Sequence, residues 1–384
     1  MKLFKNILNS VKPHFEKGGK LEKLYPAYDA FETFLFVPDH TAHTGAHMRD
    51  AIDLKRTMFT VVLALLPALA FGMWNVGYQH FLALGVSTPD LMESLVYGAV
   101  KVLPMIAVSY GVGLGIEFAF AISRGHSVNE GYLVTGLLIP MIMPADLPLW
   151  MLAIAVVFAV VIGKEVFGGT GMNIMNPALT ARAFLFFAYP TMMSGDKVWI
   201  SLGGEKAVDG FSGATPLANA IEGGVNAIPS IMESFIGMIP GSVAETSGLA
   251  ILIGAALLLI SGIASWRVMT GMFLGGYAMG LIFNVFAVNP FMEVPAIQQI
   301  VMGGFLFGMV FMATDPVSAA QTNTGKWIYG ILTGLLAILI RVVTPAYPEG
   351  VMMAILFMNI MAPLVDHYVV AANIKRRMKR VKTA

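Results

Sequence analysis

Long apolar runs recur along this 384-residue chain and constrain its fold more strongly than any single motif does. A helix needs about 20 predominantly apolar residues to cross the hydrocarbon core of a bilayer. Only 12% of the residues are charged, about half of the roughly 25% that is usual in soluble domains. The pattern predicts an all-α polytopic membrane protein with about ten apolar segments, near residues 57–76, 93–122, 132–143, 148–163, 178–190, 248–264, 268–286, 299–313, 326–343 and 350–370.

Several of these segments are too short to cross a bilayer as continuous helices. The third segment ends in IPMIMP at Pro144, after about 12 apolar residues, against the ~20 that a spanning helix needs. The fifth segment is opened by NPAL, which contains Pro177. Short segments interrupted by proline or glycine indicate half-helices whose ends face a protein site rather than lipid.

Two pairs of features recur at nearly the same offset in the two halves of the chain. Asp146 and Asp315 are 169 residues apart, and Pro177 and Pro345 are 168 residues apart. Recurrence at a fixed offset is the signature of an internal repeat. Because each half holds five segments, an odd number, the second half must be inverted in the membrane. We therefore predict two inverted five-helix repeats with broken half-helices and with binding sites at the repeat interface.

The distribution of lysine and arginine predicts the orientation. With the N-terminus in the cytoplasm, nineteen of these residues fall on the cytoplasmic side and three on the other, a bias that fixes topology in membrane proteins. Both termini are then cytoplasmic. The predicted division is a cytoplasmic arm, a first membrane repeat, an extracytoplasmic loop, a second repeat and a basic cytoplasmic tail, over residues 1–56, 57–190, 191–247, 248–370 and 371–384.

The chain contains no cysteine, which excludes disulfides, thiol nucleophiles and cysteine-ligated iron–sulfur clusters. Residues 1–56 are too long and polar for a cleaved secretory signal, so we expect the N-terminus to be retained. The glycine-rich stretch GVGLGIEF lacks the strand–turn–helix setting of a dinucleotide site. We expect a lipid bilayer around the chain and no nucleic-acid partner.

The predicted external loop contains DGFSGATPLA, residues 209–218. One interpretation is an ordinary turn, since glycine, aspartate and serine favour turns. The other is a cofactor attachment site, because Asp-x-x-Ser-Gly-Ala-Thr resembles the recognition sequence of bacterial flavin transferases. That resemblance implies that the Thr215 hydroxyl forms a phosphoester with FMN. The remaining motif residues are Asp209, Ser212, Gly213 and Ala214.

Four longer stretches resemble one family of membrane proteins. They are RGHSVNEGY (124–132), GKEVFGGTGMNIMNPALTARAFLFFAYP (163–190), FMATDPVSAAQTNTGKWIYG (311–330) and RVVTPAYPEGVMMAILFMNIMAPLVDH (341–367). The family comprises the NqrB subunits of Na⁺-translocating NADH:quinone oxidoreductases and the homologous membrane subunits of Rnf complexes. The long arm at 24–56 and the basic tail are more similar to the former.

The resemblance implies a subunit of a six-subunit, redox-driven sodium pump in the bacterial inner membrane. Another subunit oxidises NADH, and quinone is reduced in the membrane while Na⁺ is exported. The chain would carry covalent FMN, attached by a flavin transferase, and non-covalent riboflavin. It would not be active alone. Two alternatives are an Rnf-type electron-transfer subunit and a flavin-free secondary transporter.

The stretch FGGTGMNIMNPAL is the expected riboflavin site. Its glycines allow the backbone to approach a ring closely, and its asparagines match the donors and acceptors of a flavin edge. The alternative is that these polar groups only satisfy the ends of broken membrane helices. The candidate residues are Gly168, Gly169, Gly171, Asn173 and Asn176.

Acidic residues in or beside the apolar segments are the expected Na⁺ ligands, because a carboxylate with backbone carbonyls suits a hard cation. The alternative is that each caps a helix or pairs with Lys101, Arg182 or Arg341. The candidates are Glu117, Asp146, Asp315 and Asp366.

The resemblance also places quinone near the glycines of the second apolar segment. Gly113 is the quinone candidate, with helix packing as the alternative. For Gly111 and Gly115 we expect close helix packing, the usual role of small residues in membranes.

Overall fold

The structure of the protein, a computed structural model, describes residues 2–16, 18–36, 44–48, 52–125, 128, 131–205, 207–208, 212–344 and 350–382. These residues form helices and connecting loops, with no β-strand among them. The α-helices are α1 Lys2–Val11, α2 Tyr25–Leu35, α3 Leu54–Ala83, α4 Leu91–Arg124, α5 Tyr132–Met141, α6 Leu149–Val161, α7 Pro177–Ala188, α8 Pro190–Met193, α9 Pro216–Gly223, α10 Ile231–Ile236, α11 Gly248–Ile260, α12 Trp266–Val285, α13 Ala296–Val301, α14 Phe305–Phe307, α15 Asn323–Val343 and α16 Gly350–Lys382.

Six helical stretches in the described part of the chain are long and apolar enough to cross a membrane. They are α3, α4, α12, α15, Gly350–Arg380 within α16, and α6 with the turn that follows it, Leu149–Phe167. Three further apolar helices, α5, α7 and α11, are shorter. The prediction of an all-helical, multi-pass membrane fold is confirmed.

The longest helix, α4, has a clear start signal and a clear stop signal. The Asp90 carboxylate accepts hydrogen bonds from two backbone N–H groups in the first turn of α4, at 2.9 and 3.2 Å, and Gly125 ends the helix with φ +68°. The 34 residues of α4 span about 51 Å at 1.5 Å per residue. This length exceeds the ~30 Å hydrocarbon core, so α4 extends beyond it.

The apolar segment 299–313 is not one helix. It is built from α13, α14 and a π-helical turn, Gly308–Met312, that follows α14 directly. A π-helical turn leaves local hydrogen bonding irregular and occurs often at functional sites. In the first half of the chain α5 is also short: it contains Pro140 and is only 10 residues long.

Glycine allows the long helices to cross at close range. A Cβ atom at Gly98 of α4 would lie 1.7 Å from the carbonyl oxygen of Met73 in α3. In the second half, a Cβ at Gly275 of α12 would lie 2.0 Å from the carbonyl oxygen of Ile331 in α15. Backbone-to-backbone contact of this kind is how small residues hold membrane helices together.

The helices pack in two groups, α3–α7 and α11–α16. In the first group α4 packs against α3, α5 and α6, and α6 packs against α7. In the second group α12 packs against α13 and α15, and α15 packs against α16. The two groups meet through α3 with α11 and through α7 with α16. Of the two proline positions used to predict a repeat, Pro177 opens α7, and Pro345 lies outside the described residues.

The described part of the polar stretch 191–247 is folded rather than an extended loop. It contains α9 and α10, and α10 begins with a reciprocal cap between Ser230 and Glu233. The backbone N–H of Ala244 donates to the Met141 carbonyl at 2.9 Å, and Asn75 donates to a carbonyl in the same stretch. The stretch is therefore packed onto the ends of α3 and α5.

The N-terminal helices form a small unit on α4. Tyr28 of α2 donates its hydroxyl to the carbonyl of Leu8 in α1 at 3.1 Å. In turn, the Phe31 ring of α2 lies 6.1 Å from the Phe118 ring of α4, measured between centroids. At the other end of the chain, α16 continues without a break to Lys382, so the described part of the basic tail is helical.

Candidate functional site

A cavity of about 110 Å³, here called the central cavity, lies where several helix ends meet. Its walls come from both groups of helices: from α3, α5 and the segment before α7, and from α11 and the segment after the π-helical turn. The polar residues in its lining are Thr57, Thr135, Lys164, Thr170, Asn173, Asn176, Thr314 and Asp315.

Two of the residues predicted for riboflavin line the central cavity and are buried. Asn176 caps α7 because its side-chain oxygen accepts hydrogen bonds from two N–H groups of the first turn, at 3.0 and 3.3 Å. The side-chain amide of Asn173 donates to the Met175 carbonyl at 3.0 Å. Both asparagines thus lie at a cavity, as the ligand hypothesis requires, and Asn176 also stabilises a helix end, as the alternative requires.

The three candidate glycines have a different role from the asparagines. Gly168, Gly169 and Gly171 have φ angles of +119°, +93° and +91°, the left-handed region that favours glycine. The described lining of the central cavity does not include them. They shape the turn that carries the asparagines to the cavity.

Thr170, which the sequence did not single out, lies between those glycines and lines the central cavity. Its side-chain oxygen is buried and has no hydrogen-bond partner among the described residues. A buried hydroxyl without a partner is costly, so a bound polar group would satisfy it. In the sequence, only its position within GGTG (168–171) could have indicated Thr170 as a site residue.

Glu117 and Gly113 lie next to the central cavity, and Lys164, which lines the cavity, connects them to it. The Lys164 ammonium donates to the Glu117 carboxylate, and each side chain is only 4% exposed. The same ammonium lies 6.0 Å from the centroid of the Tyr132 ring. A Cβ atom at Gly113 would lie 1.9 Å from Tyr132 Cζ, so Gly113 is tightly packed inside the chain.

The packing expected for Gly111 and Gly115 is not found against the described residues of this chain. A Cβ atom at either position would meet no heavy atom within 4 Å among the described residues. The three glycines are two residues apart, and only Gly113 lies on the inward face of α4. Helix rotation, which the spacing does not reveal, decides which glycine is packed.

Asp315 is half-buried at the central cavity, just after the π-helical turn. Its carboxylate accepts hydrogen bonds from the Ser318 hydroxyl at 2.7 Å and from the Val317 N–H at 3.1 Å. Burial is the largest influence on this group and raises the pKa of the Asp315 carboxyl, against these hydrogen bonds. Of the four Na⁺ candidates, it is the one in the cavity lining.

The other two acidic candidates have structural partners. Asp366 accepts hydrogen bonds from the N–H groups of Gln321 and Thr322, at 2.6 and 3.0 Å, at the start of α15. Asp146 pairs with Lys101 at 2.7 Å between Nζ and Oδ1, as the alternative interpretation anticipated. The described lining of the central cavity includes neither aspartate.

Thr215, the predicted attachment residue, caps a helix. It is half-buried at the N-cap of α9, and its Oγ1 accepts a hydrogen bond from the Ala218 N–H at 3.3 Å. A second, smaller cavity lies beside it, here called the Thr215 cavity. The polar or glycine residues of its lining, besides Thr215 itself, are Gly241, Ser242, Glu245, Thr246, Gly303 and Gly304.

The residues before Thr215 form a tight turn. The Ser212 hydroxyl accepts a hydrogen bond from the Ala214 N–H at 3.3 Å, and Ala214 is buried. A Cβ atom at Gly213 would lie 2.3 Å from the Asp196 carbonyl oxygen, which explains the glycine sterically. Asp209, the first residue of the motif, lies outside the described residues.

A buried ion pair adjoins the Thr215 cavity through Glu245, which is part of the cavity lining. Arg182 of α7 and Glu245 are joined at 2.8 Å between Nη1 and Oε2, with side chains 4% and 11% exposed. Arg341 of α15 is fully buried and donates to the Gln299 carbonyl. The sequence identified none of these as site residues, because the contact partners lie far apart in the chain.

These observations define a polytopic helical membrane protein with one polar cavity between two groups of helices and a second, smaller cavity beside Thr215. The chain belongs to the NQR2, RnfD, RnfE family, whose sequence model matches residues 41–375.

Relatives in this family align along nearly their whole length. A protein of Stutzerimonas stutzeri, named as the B-type subunit of Na(+)-translocating NADH-quinone reductase, is 51% identical, over 97% of this chain and 98% of its own. Proteins of the same name from Chromohalobacter salexigens and Pseudomonas aeruginosa are 49% and 50% identical, over 98% of this chain and over 96% and 99% of theirs.

Proposed function

We propose that this chain is the NqrB-type membrane subunit of a Na⁺-translocating NADH–quinone reductase, and that it passes electrons between flavins toward quinone. The observation that carries the proposal is about 50% identity, along the full length, to proteins named as that subunit. Those relatives are subunits of an oxidoreductase complex. The same likeness favours this function over an Rnf-type subunit and over a flavin-free transporter.

Thr215 is the residue that would hold FMN through a phosphoester. Its hydroxyl lies at the N-cap of α9, where backbone N–H groups and the helix dipole favour a negatively charged phosphate. The turn before it is compact at Gly213 and Ala214, and the Thr215 cavity lies alongside. When bound, FMN supplies the redox chemistry that a cysteine-free chain does not have.

The central cavity is the proposed riboflavin site. Asn173 and Asn176 line it with amide groups, and the buried Thr170 hydroxyl has no partner among the described residues. These groups match the mixed donors and acceptors of a flavin edge. A site between the two helix groups is also where transporters with repeats place theirs.

Asp315 is the strongest of the proposed Na⁺ ligands, since its carboxylate lies in the central cavity beside the irregular backbone of the π-helical turn. Glu117 follows, through its buried pair with Lys164. Gly113 packs on Tyr132 next to this pair, so a quinone role for Gly113 would act through the packing of α4. Asp146 and Asp366 receive less support.

The proposed membrane arrangement has two inverted five-helix repeats, with both termini in the bacterial cytoplasm and Thr215 on the opposite side. Support comes from the packing pattern: α4 with α6 and α6 with α7 correspond to α12 with α15 and α15 with α16. The α3–α11 and α7–α16 contacts join matching members of the two groups. The proposed inner-membrane complex has six subunits, including this chain, and a flavin transferase attaches the FMN during maturation.

Mass spectrometry of the peptide that contains Thr215 tests the redox proposal. The full-length chain, produced with a flavin transferase, should gain the mass of one FMN and fluoresce in a denaturing gel. Thr215→Ala and Thr215→Asn should both abolish the added mass. Asparagine retains N-cap ability, so loss in both variants assigns the effect to the hydroxyl rather than to the stability of α9.

Thr322 provides the matched control, because it caps α15 through its hydroxyl in the same way. Thr322→Ala should keep the flavin. A wild-type peptide that carries only its amino-acid mass in the presence of a transferase rejects the covalent-flavin role and favours the plain transporter.

A further inference from the structure

The N-terminal helix α1, with the sequence KLFKNILNSV, has two sharply different faces. Phe4, Ile7 and Val11 recur at helical spacing on one face and are 59%, 53% and 38% exposed. A helix with an apolar stripe of this kind buries it against another surface. Within the described part of the chain, Phe4 and Ile7 remain mostly exposed and Val11 is only partly covered.

The opposite face of α1 is polar and basic. It carries Lys5, Asn6, Asn9 and Ser10, which are exposed, and the sequence of the helix contains no acidic residue. A short helix with an apolar face, a basic face and low overall hydrophobicity is typical of helices that lie in the plane of a membrane surface.

The contacts of α1 hold it on α2, which packs near the end of α4. Leu8, at the edge of the apolar face, accepts a hydrogen bond from Tyr28 of α2 at 3.1 Å. Lys12 pairs with Glu32 of α2 at 3.2 Å. Through Phe31, α2 packs on Phe118, close to the end of the membrane-spanning helix α4. The arm is thus attached to the last turns of α4.

We propose that α1 lies in the membrane–water interface, with Phe4, Ile7 and Val11 inserted among acyl chains and with Lys5 over the phosphates of anionic phospholipids. Continuity with the end of α4 and the positive charge of the polar face favour a lipid surface as the partner. The inference does not depend on the proposed electron-carrier role.

The absence of cysteine allows a direct test in the assembled complex. Four single substitutions place a bimane fluorophore on either face: Phe4→Cys and Ile7→Cys on the apolar face, Asn6→Cys and Asn9→Cys on the polar face. The complex with the unaltered, cysteine-free chain gives the background from other subunits. Reconstituted vesicles then receive either a phospholipid with an acyl-chain nitroxide or aqueous iodide as quencher.

Several-fold stronger quenching by the nitroxide lipid at positions 4 and 7 than at 6 and 9, with the reverse order for iodide, is the expected result. Equal iodide quenching on both faces would overturn the proposal, because it places the helix in water. Protection of positions 4 and 7 from both quenchers would also overturn it, because a protein then covers the face. Replacing phosphatidylglycerol by phosphatidylcholine should weaken the lipid quenching; an unchanged signal contradicts the role assigned to anionic headgroups.

Discussion

Lys164 and Glu117 form an ion pair in which each side chain is only 4% exposed. The pair links α4 to the segment before α7, and Lys164 also lines the central cavity. Burying two charges is costly, and such a pair is stable only when the partners remain together. The position of this pair makes it a structural support of the cavity wall as well as an ionic group beside it.

Removing one partner of this pair should destabilise the protein strongly. Glu117→Gln or Lys164→Met leaves an uncompensated buried charge, which costs about 3–5 kcal/mol. The double variant should be more stable than the sum of the two single effects predicts, because it leaves no buried charge. Thermal unfolding of the purified complex in one detergent checks this, and strictly additive losses would argue against the pair.

Gly113→Ala should be much more harmful than the same change at Gly111 or Gly115. The new methyl group at 113 would lie 1.9 Å from Tyr132 Cζ, and overpacking of this kind costs about 1–3 kcal/mol. At 111 and 115 the described residues leave open space. The thermal midpoint of each variant is the measurement, and Tyr132→Leu combined with Gly113→Ala should recover part of the loss. Equal midpoints for all three alanine variants would contradict the packing at Gly113.

The long helices could be predicted from the sequence because the length and continuity of an apolar run are local properties. The segment near 93–122 is part of α4, and the segment near 326–343 is part of α15. Thr215 was also found locally, from a short motif. Segment 299–313 has an apolar composition similar to that of the long helices, but it forms several short helical pieces. Its irregular backbone depends on tertiary packing, which composition does not reveal.

The contacts that build the sites could not be predicted because they join distant parts of the chain. The sequence places Lys164 in a loop, yet its side chain is buried against Glu117. Arg182 and Glu245 are paired across 63 residues, and one sequence carries no signal for such a pair. For the same reason the acidic partner of Arg182 is Glu245, which was not among the four acidic candidates.

The stability of the protein should depend on pH through Asp315. Burial raises the pKa of this carboxyl above its ordinary value of 3.8, so the folded state favours the protonated form. The contribution of Asp315 to the stability of the folded state is fully present below pH 3.8. It is lost as the pH rises through the raised pKa. Wild type should therefore lose stability relative to Asp315→Asn as pH rises through this window.

Thermal midpoints of both proteins across a pH series test this, in Na⁺ and in K⁺ buffers. If Asp315 holds Na⁺, the bound ion favours the carboxylate and the difference should be smaller in Na⁺. Parallel pH curves for wild type and Asp315→Asn would refute the raised pKa. If the pH dependence of the difference is identical in Na⁺ and K⁺ buffers, Asp315 does not bind Na⁺.

Thr170→Val should reduce the non-covalent flavin content while leaving folding almost unchanged. The Thr170 hydroxyl is buried without a partner among the described residues, so replacing it by a methyl group of similar size removes a desolvated polar atom rather than a hydrogen bond. Thr135→Val is the matched control, because Thr135 lines the same cavity but donates to the Gly131 carbonyl at the start of its own helix.

Two measurements distinguish the variants: the amount of flavin released by denaturation, quantified by chromatography, and the thermal midpoint. Full flavin retention in Thr170→Val, or equal loss in both variants, would remove Thr170 from the proposed riboflavin site.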